Sequence, residues 1–512
     1  MARRPNIPLI SADQWRGDCL GVAGHPVVRT PHVDALAREG ALFRRHYAGA
    51  APCGPARASL YTGLYQMNHR VVRNGTPLDD RFDNIARAAR RGGYDPTLFG
   101  YTDMVIDPRT THPNDPRLST YDGVLPGFSV RQLLPEDEKP WHSWLRARGH
   151  AFDDGINIHR PPGAAPDAVD ASPPRYGRNE TQTAFLTGAF LDWLGEQEKD
   201  NPWFAHISFL RPHPPFVVPE PFNRMYDPDD GPAFVRHDSR DEEAAAHPFV
   251  AYRLQRQKKA DYYPGAKGRV RDWKTRDFKR LRALYYGMIS EVDDQLGRIF
   301  TALKAAALWD DTLIVLTSDH GEMIGDHWSL GKAGYFDASF HIPLIIRAPR
   351  TAAVNDGRAV DRFTEASDIF PTLLRIMELE PTNGVDGRSL MPLLDGTGTA
   401  GWRDAAHWEY DFRGIAKRRA ETHFGLDSDL CNMAVYRNAA FKYVHFAGLP
   451  PLLFDLDADP GELVNVADHP DYLRIRLDYA EKLLSWRAGH LDRTLADMQV
   501  TERGLKRAAY PI

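Results

Sequence analysis

Cys53 opens the segment Cys53-Gly54-Pro55-Ala56-Arg57-Ala58-Ser59-Leu60-Tyr61-Thr62-Gly63. The chain has three cysteines, Cys19, Cys53 and Cys431, so it reads as a protein of a reducing compartment without a disulfide framework. Cys53 also lacks the second cysteine that a thiolate metal site usually has. Pro55 to Tyr65 reads as a helix with proline in its first turn. Its start offers unpaired N–H groups and the positive end of a dipole, which suit an anion. Arg57 follows Cys53 by four residues and can face the same anion. Two further segments end buried apolar runs in acids. Ile7–Ala12 leads to Asp13, and Thr312–Ser318 leads to Asp319-His320-Gly321-Glu322, with Gly331-Lys332 beyond. An adjacent Asp and His after a buried strand can reach one cation from a tight turn, which packing alone does not explain. Asp13, taken alone, reads either as a metal ligand or as the cap of a following helix.

Positioning these groups needs a sheet. Ile7–Ala12, Thr312–Ser318 and Pro343–Ile346 read as buried strands, with Pro8 expected at the start of the first. A capped helix and a strand are expected over Pro31–Phe43, with the helix ending at Gly40, and further helices over 179–197 and 281–308. In the last of these, Leu281, Leu284, Tyr285, Met288, Ile289, Val292, Leu296, Ile299, Phe300 and Leu303 form one apolar stripe. Strands alternating with helices predict an α/β fold with a doubly wound, mostly parallel sheet and ligands at the strands' carboxyl ends. With 512 residues, one large domain and a smaller one are expected. The reading is 1–400 for the first, with long connections at about 105–175 and 211–280, and 401–512 for a small C-terminal α+β region, a sheet packed by a helix from Pro470 to Arg487. A net charge of -5 excludes a general nucleic-acid binder. The eleven Lys/Arg between Arg253 and Arg280 read as a solvated arm or subunit contact. No signal peptide or membrane span is read, so the expected location is cytoplasmic.

The Cys53–Gly63 segment resembles the C-x-P-x-R sequence at which sulfatases have cysteine converted to formylglycine. The likeness extends over Thr30-Pro31-His32-Val33-Asp34, Gly93–Tyr101, Arg211-Pro212-His213-Pro214-Pro215-Phe216 and Leu456–Asn465. The chain therefore resembles formylglycine-dependent sulfatases of the alkaline phosphatase superfamily, and most of all their phosphonate monoester hydrolase and promiscuous arylsulfatase branch. The resemblance implies an alkaline-phosphatase-like fold. It implies one divalent metal ion held by Asp13, Asp319, His320 and the modified Cys53. It implies that Arg57 and Lys332 offset charge on the transferred sulfate or phosphonate. Asn74, Tyr101 and His213 would contact its oxygens or the leaving group, with His213 protonating the leaving oxygen. The aldehyde hydrate has two hydroxyls: one attacks, and the other then expels the product as the aldehyde reforms.

The chain departs from typical sulfatases in two places. Ala12 stands where a second acid is usual and His320 fills the later acid pair, which predicts manganese or zinc rather than calcium. Gly100-Tyr101-Thr102-Asp103 replaces Gly-Lys-x-His, which favours phosphonate monoesters, although the branch has threonine where Asp103 stands. Asp103 is thus a candidate for setting the sulfate-to-phosphonate preference. The implied partners are a small anionic ester, phosphodiesters among them, a formylglycine-generating enzyme during maturation, and further copies in a homodimer or homotetramer. Two other readings stay open from sequence: a superfamily phosphodiesterase with an unmodified nucleophile, and a non-catalytic anion-binding protein.

Overall fold

The computed structural model describes residues 4–507 apart from 153–157, 164–168, 333, 351–356, 383 and 399. The chain forms two compact units interleaved in sequence. The first comprises Met1–Arg45, Asp95–Tyr101 and Phe128–Asp361. Its strands are β1 (Ile7–Ala12), β3 (Pro96–Gly100), β4 (Ser129–Leu133), β5 (Phe204–Phe209), β6 (Ile314–Ser318) and β7 (Leu344–Arg347), all buried throughout except β4. β2 (Ala41–Tyr47) and β8 (Arg358–Glu365) begin in this unit and run on into the second. The eight strands lie in the order β4-β3-β5-β1-β6-β7-β2-β8. β1 pairs parallel with β5 and β6, and β3 parallel with β4 and β5. Pro8 stands just ahead of Leu9, where the β1–β6 ladder begins, so its missing donor falls at the ladder's edge.

The sheet is mixed. β7 runs antiparallel to both β6 and β2. A parallel return needs a crossover, usually a helix. After β6 the chain instead winds through turns and the four-residue helix Asp337–Phe340, and it re-enters the sheet antiparallel to the strand it left. The two stretches read as plain connections also hold regular structure: β4 and a helix at Lys139–Ala147 in one, helices at Arg240–Ala246 and Pro248–Arg256 in the other. Two of these helices carry proline in the first turn, where it starts a helix rather than breaking one. Two turns or so are too few to display a period.

The long helix Thr275–Ala305 buries the expected stripe, and the helix Gln182–Gly195 is likewise largely buried. The helix Pro31–Arg38 is capped, but not by Thr30, whose hydroxyl donates to Asp34 Oδ1 at 2.9 Å. Asp293, on the long helix, accepts the N–H groups of His32 at 3.2 Å and Val33 at 2.8 Å. Burial foremost pushes its carboxyl up to about 7. Between the ordinary carboxylate value near 4 and that pH, the native chain keeps a proton that the unfolded chain has released. Stability therefore falls as pH rises through this window. Asp293→Asn should remove about one proton's worth of slope from the urea midpoint plotted against pH; an unchanged slope would show that Asp293 does not titrate there. In the basic stretch, Lys279 pairs with Asp229 at 2.6 Å, and Arg280 and Arg269 donate to the carbonyls of Val169 and Arg256.

The second unit comprises His46–Tyr94, Thr102–Gly127 and Arg362–Ile512. Its antiparallel sheet, in the order β12-β11-β10-β9, is formed by β9 (Ala405–Asp411), β10 (Asn432–Asn438), β11 (Phe441–Phe446) and β12 (Leu452–Asp455). The helix Leu473–Gly489 packs on it through Tyr479, Leu483 and Trp486. The Trp486 ring stacks on His407 at 4.6 Å.

Candidate active site

In the first unit, register does the positioning. Ala12 of β1 lies opposite Ser318 of β6, so Asp13 and Asp319 leave neighbouring parallel strands at the same level. Ser318 Oγ ties the two strand ends, donating to Ala12 O at 2.7 Å and accepting the Trp15 N–H at 2.9 Å. Asp319 Oδ1 accepts the N–H groups of Gln14 at 3.1 Å and His320 at 2.9 Å. Asp13 Oδ2 accepts the Tyr101 hydroxyl. His320 donates Nδ1–H to the Gly321 carbonyl at 3.0 Å. Its Nε2 then stands 3.7 Å from Asp13 Oδ1 and 3.8 Å from Asp319 Oδ1. Burial foremost holds the imidazole down at about 4, so at neutral pH it is uncharged with its Nε2 lone pair available.

These three residues fit a divalent cation. One ligand atom of each lies within 4.8 Å of the others, and all three are buried. Asp13 Oδ2, Asp319 Oδ1 and His320 Nδ1 are each fixed by a hydrogen bond, as metal ligands generally are. Two carboxylates held this deep call for a compensating charge.

Lys332 reaches this centre through a pairing of Gln14 with Glu322 that the sequence did not single out. Its Nζ donates to Gln14 Oε1 at 2.6 Å, and Gln14 Nε2 donates to Glu322 Oε2. Glu322 Oε1 accepts the N–H groups of Ile324 at 2.8 Å and Gly331 at 2.6 Å, which fixes the loop that brings Lys332 back. Gln14 sits at φ 70°, a conformation compatible with its place between Asp13 and Trp15, each held on a neighbouring strand. Adjacency to Asp13 and Gly321 was the only signal in the sequence. Tyr101, expected at the substrate, is fully buried and orients Asp13. Gly100 before it sits at φ 106°, where a Cβ would stand 2.1 Å from Ser208 O, so only glycine turns the chain there.

His213 is partly exposed, and its Nδ1–H donates to Pro214 O at 2.7 Å. Burial foremost, then the charge of Lys332, lowers its pKa, so its Nε2 is an acceptor at neutral pH and needs a second proton to act as an acid.

In the second unit, Cys53 is the first residue of the helix Cys53–Thr62, which ends at Gly63 in the left-handed conformation, φ 69°. Cys53 and Arg57, one turn apart, are each 1% exposed. Asn74, expected at the substrate, accepts the Gly54 N–H at 3.0 Å and so satisfies one of the helix's first donors through Oδ1. Asp103 is buried at φ 55°. A Cβ on Gly54 would stand 3.3 Å from Asn74 Cα and 3.4 Å from Asp103 Oδ2, so both residues line the approach to the helix start. The structure thus groups Asn74 and Asp103 around the residue after Cys53.

The sulfatase family matches residues 5–379, and the C-terminal region of N-sulphoglucosamine sulphohydrolase matches residues 325–489. The chain is similar to the multifunctional alkaline phosphatase superfamily protein PehA of Trinickia caryophylli, with 40% identity over 98% of this chain and 99% of that protein. It is 30% identical to an arylsulfatase of Clostridium perfringens over 94% of each chain. The solved phosphonate monoester hydrolase of Agrobacterium radiobacter superposes with a TM-score of 0.97 at 61% identity, over 99% of this chain and 100% of that one. The buried acid–imidazole centre, the helix led by Cys53 and these likenesses agree: the chain belongs to the sulfatase family of ester hydrolases.

Proposed function

We propose that this enzyme hydrolyses phosphonate monoesters and sulfate esters, and phosphodiesters more broadly, with formylglycine made from Cys53 as nucleophile. The observation that carries the reading is the convergence of Asp13, Asp319 and His320 Nε2 in a buried cluster built to hold a cation. Those three, with the modified Cys53 as a further ligand, would hold one divalent ion. Two carboxylates and an imidazole favour manganese or zinc over calcium. Bound there, the ion and the aldehyde hydrate together supply a nucleophile at neutral pH and a route for releasing the transferred group.

The chain's own residues then do the rest. Lys332, held by Gln14, and Arg57, on the helix of Cys53, offset charge on the transferred group. Tyr101 and the backbone of Gln14 and His320 keep the carboxylates aimed. His213, once protonated at Nε2, delivers a proton to the leaving oxygen. Aryl leaving groups need that proton little and alkyl ones need it much.

Maturation by a formylglycine-generating enzyme, a homodimeric or homotetrameric state and a cytoplasmic location complete the proposal. They rest on the Cys53 segment, on the family and on a chain with three cysteines, all buried. No helix among the described residues is long and apolar enough to cross a membrane.

The test is a rate panel of an aryl phosphonate monoester, an aryl sulfate and an aryl phosphodiester on protein whose mass shows full conversion of Cys53. All three should turn over, the phosphonate monoester fastest. Asp103→Thr should then change the sulfate-to-phosphonate rate ratio by about tenfold, the scale of one altered charge contact at a dry site. Converted protein inert toward all three esters would overturn the reading in favour of a non-catalytic anion binder.

A further inference from the structure

The turn that carries His213 has prolines at 212, 214 and 215, which lack the N–H groups that usually tie a loop together. A side chain supplies the missing donors. Arg211 is 3% exposed. Its Nη1 donates to His213 O at 2.8 Å and to Pro215 O at 3.0 Å. Pro214 O, between them, accepts the Nδ1–H of His213 itself. Three successive carbonyls are thereby satisfied, and the imidazole is fixed with Nε2 as its remaining nitrogen.

Arg211 is in turn held from behind. Its Nε donates to Gln182 Oε1 at 3.0 Å, and its Nη2 lies 3.4 Å from His159 Nδ1. Gln182 Nε2 donates to Glu138 Oε1 at 2.5 Å, and the other Glu138 oxygen accepts His159 Nε2–H at 2.7 Å. Tyr176 closes the set on His159 Nδ1 at 2.8 Å, and Trp141 stacks on the His159 ring at 16°. Burial would raise the Glu138 carboxyl, but His159, His142 and Arg211 outweigh it, so Glu138 stays ionised and balances the guanidinium. A guanidinium this deep is stable only with its N–H groups partnered, and these partners leave it one geometry.

We propose that Arg211 is the positioning residue for His213, fixing the direction of Nε2 toward the leaving oxygen, and that Gln182 and Glu138 fix Arg211. This rests on the proton-donor role given to His213 above. The effect should therefore appear only with leaving groups that need a proton.

Turnover of a 4-nitrophenyl phosphonate monoester is to be compared with that of an alkyl ester in His213→Ala, Arg211→Met, Gln182→Leu and the Arg211→Met/His213→Ala double variant. His213→Ala should slow the alkyl ester by about 10²–10³-fold, and the nitrophenyl ester only several-fold. Arg211→Met should show the same selectivity at about 10–100-fold, the scale of a misplacement near 1 Å. In the double variant it should add almost nothing to the loss from His213→Ala. Gln182→Leu leaves both carbonyl bonds of Arg211 in place and should give a smaller loss of the same selectivity; it decides the matter if Arg211→Met does not fold. Equal slowing of both esters by the Arg211 or Gln182 variant, no slowing by either, or additive losses in the double variant would overturn the positioning role alone. Equal slowing of both esters by His213→Ala would overturn the proton role of His213 and this proposal with it.

Discussion

Cys53→Ala lowers kcat/KM toward every ester in the panel by about 10⁴-fold or more, the scale seen when a covalent nucleophile is removed. Two observations set this expectation. Cys53 begins the helix Cys53–Thr62, so its side chain stands at the positive end of that helix's dipole, with Arg57 one turn on. It is also 1% exposed, and a thiol shut away from solvent in this way is a poor reagent for ordinary thiol chemistry. Intact mass gives an independent reading: conversion to the aldehyde lowers the mass by about 18 Da, since sulfur and two hydrogens are exchanged for one oxygen. Loss of activity together with that mass change in the parent identifies the aldehyde as the nucleophile. A Cys53→Ala protein that stays active would point instead to a superfamily phosphodiesterase with an unmodified nucleophile.

Stripping the enzyme with a strong chelator lowers turnover by about 10³-fold or more, and manganese or zinc restores it where calcium does not. The same treatment lowers the melting temperature by several degrees, because an ion that binds the native state alone stabilises it by mass action. Asp13 and Asp319 are at most 1% exposed, and removal of the ion leaves two buried carboxylates close together beside His320. Asp319→Asn should weaken metal retention in the same direction and show it in metal content as well as in rate. Elemental analysis of protein grown in defined metals decides the identity. Stoichiometric calcium without a transition metal would sink the assignment to manganese or zinc, and a melting temperature indifferent to the chelator would sink the metal centre.

Much of the scaffold was legible because it depends on short-range patterns. Ile7–Ala12 and the run to Ser318 are mostly apolar stretches followed at once by acids, and they are the neighbouring strands β1 and β6. The stripe from Leu281 to Leu303 lies on one face of the long buried helix. β7 was read as a strand, but its antiparallel direction follows from the end of the sheet at which the chain re-enters, which no local pattern encodes. The cap expected for the helix at Pro31 is supplied by Asp293, 261 positions from His32. Among the site residues, Asn74 and Tyr101 were placed at the substrate by family likeness. Their hydrogen bonds show more immediate work: Asn74 on the Gly54 N–H, and Tyr101 on Asp13. The pairing of Gln14 with Glu322 went unnoticed because it spans 308 positions.

The sequence by itself determined the reactive inventory: a lone cysteine ahead of proline and arginine, acids at the ends of two buried strands, and a histidine adjacent to one of them. Those are properties of neighbouring residues and of a two- or 3.6-residue period, and they survive without a fold. Only the tertiary structure decided how that inventory is aimed. The register of Ala12 on Ser318 sets Asp13 level with Asp319, the Gly321 carbonyl chooses the imidazole nitrogen that faces them, and Arg211 orients His213 through a chain of contacts reaching back to Glu138. A hydrogen bond acts over about 3 Å whatever the separation along the chain, so its partners are set by the folded path and not by spacing in the sequence.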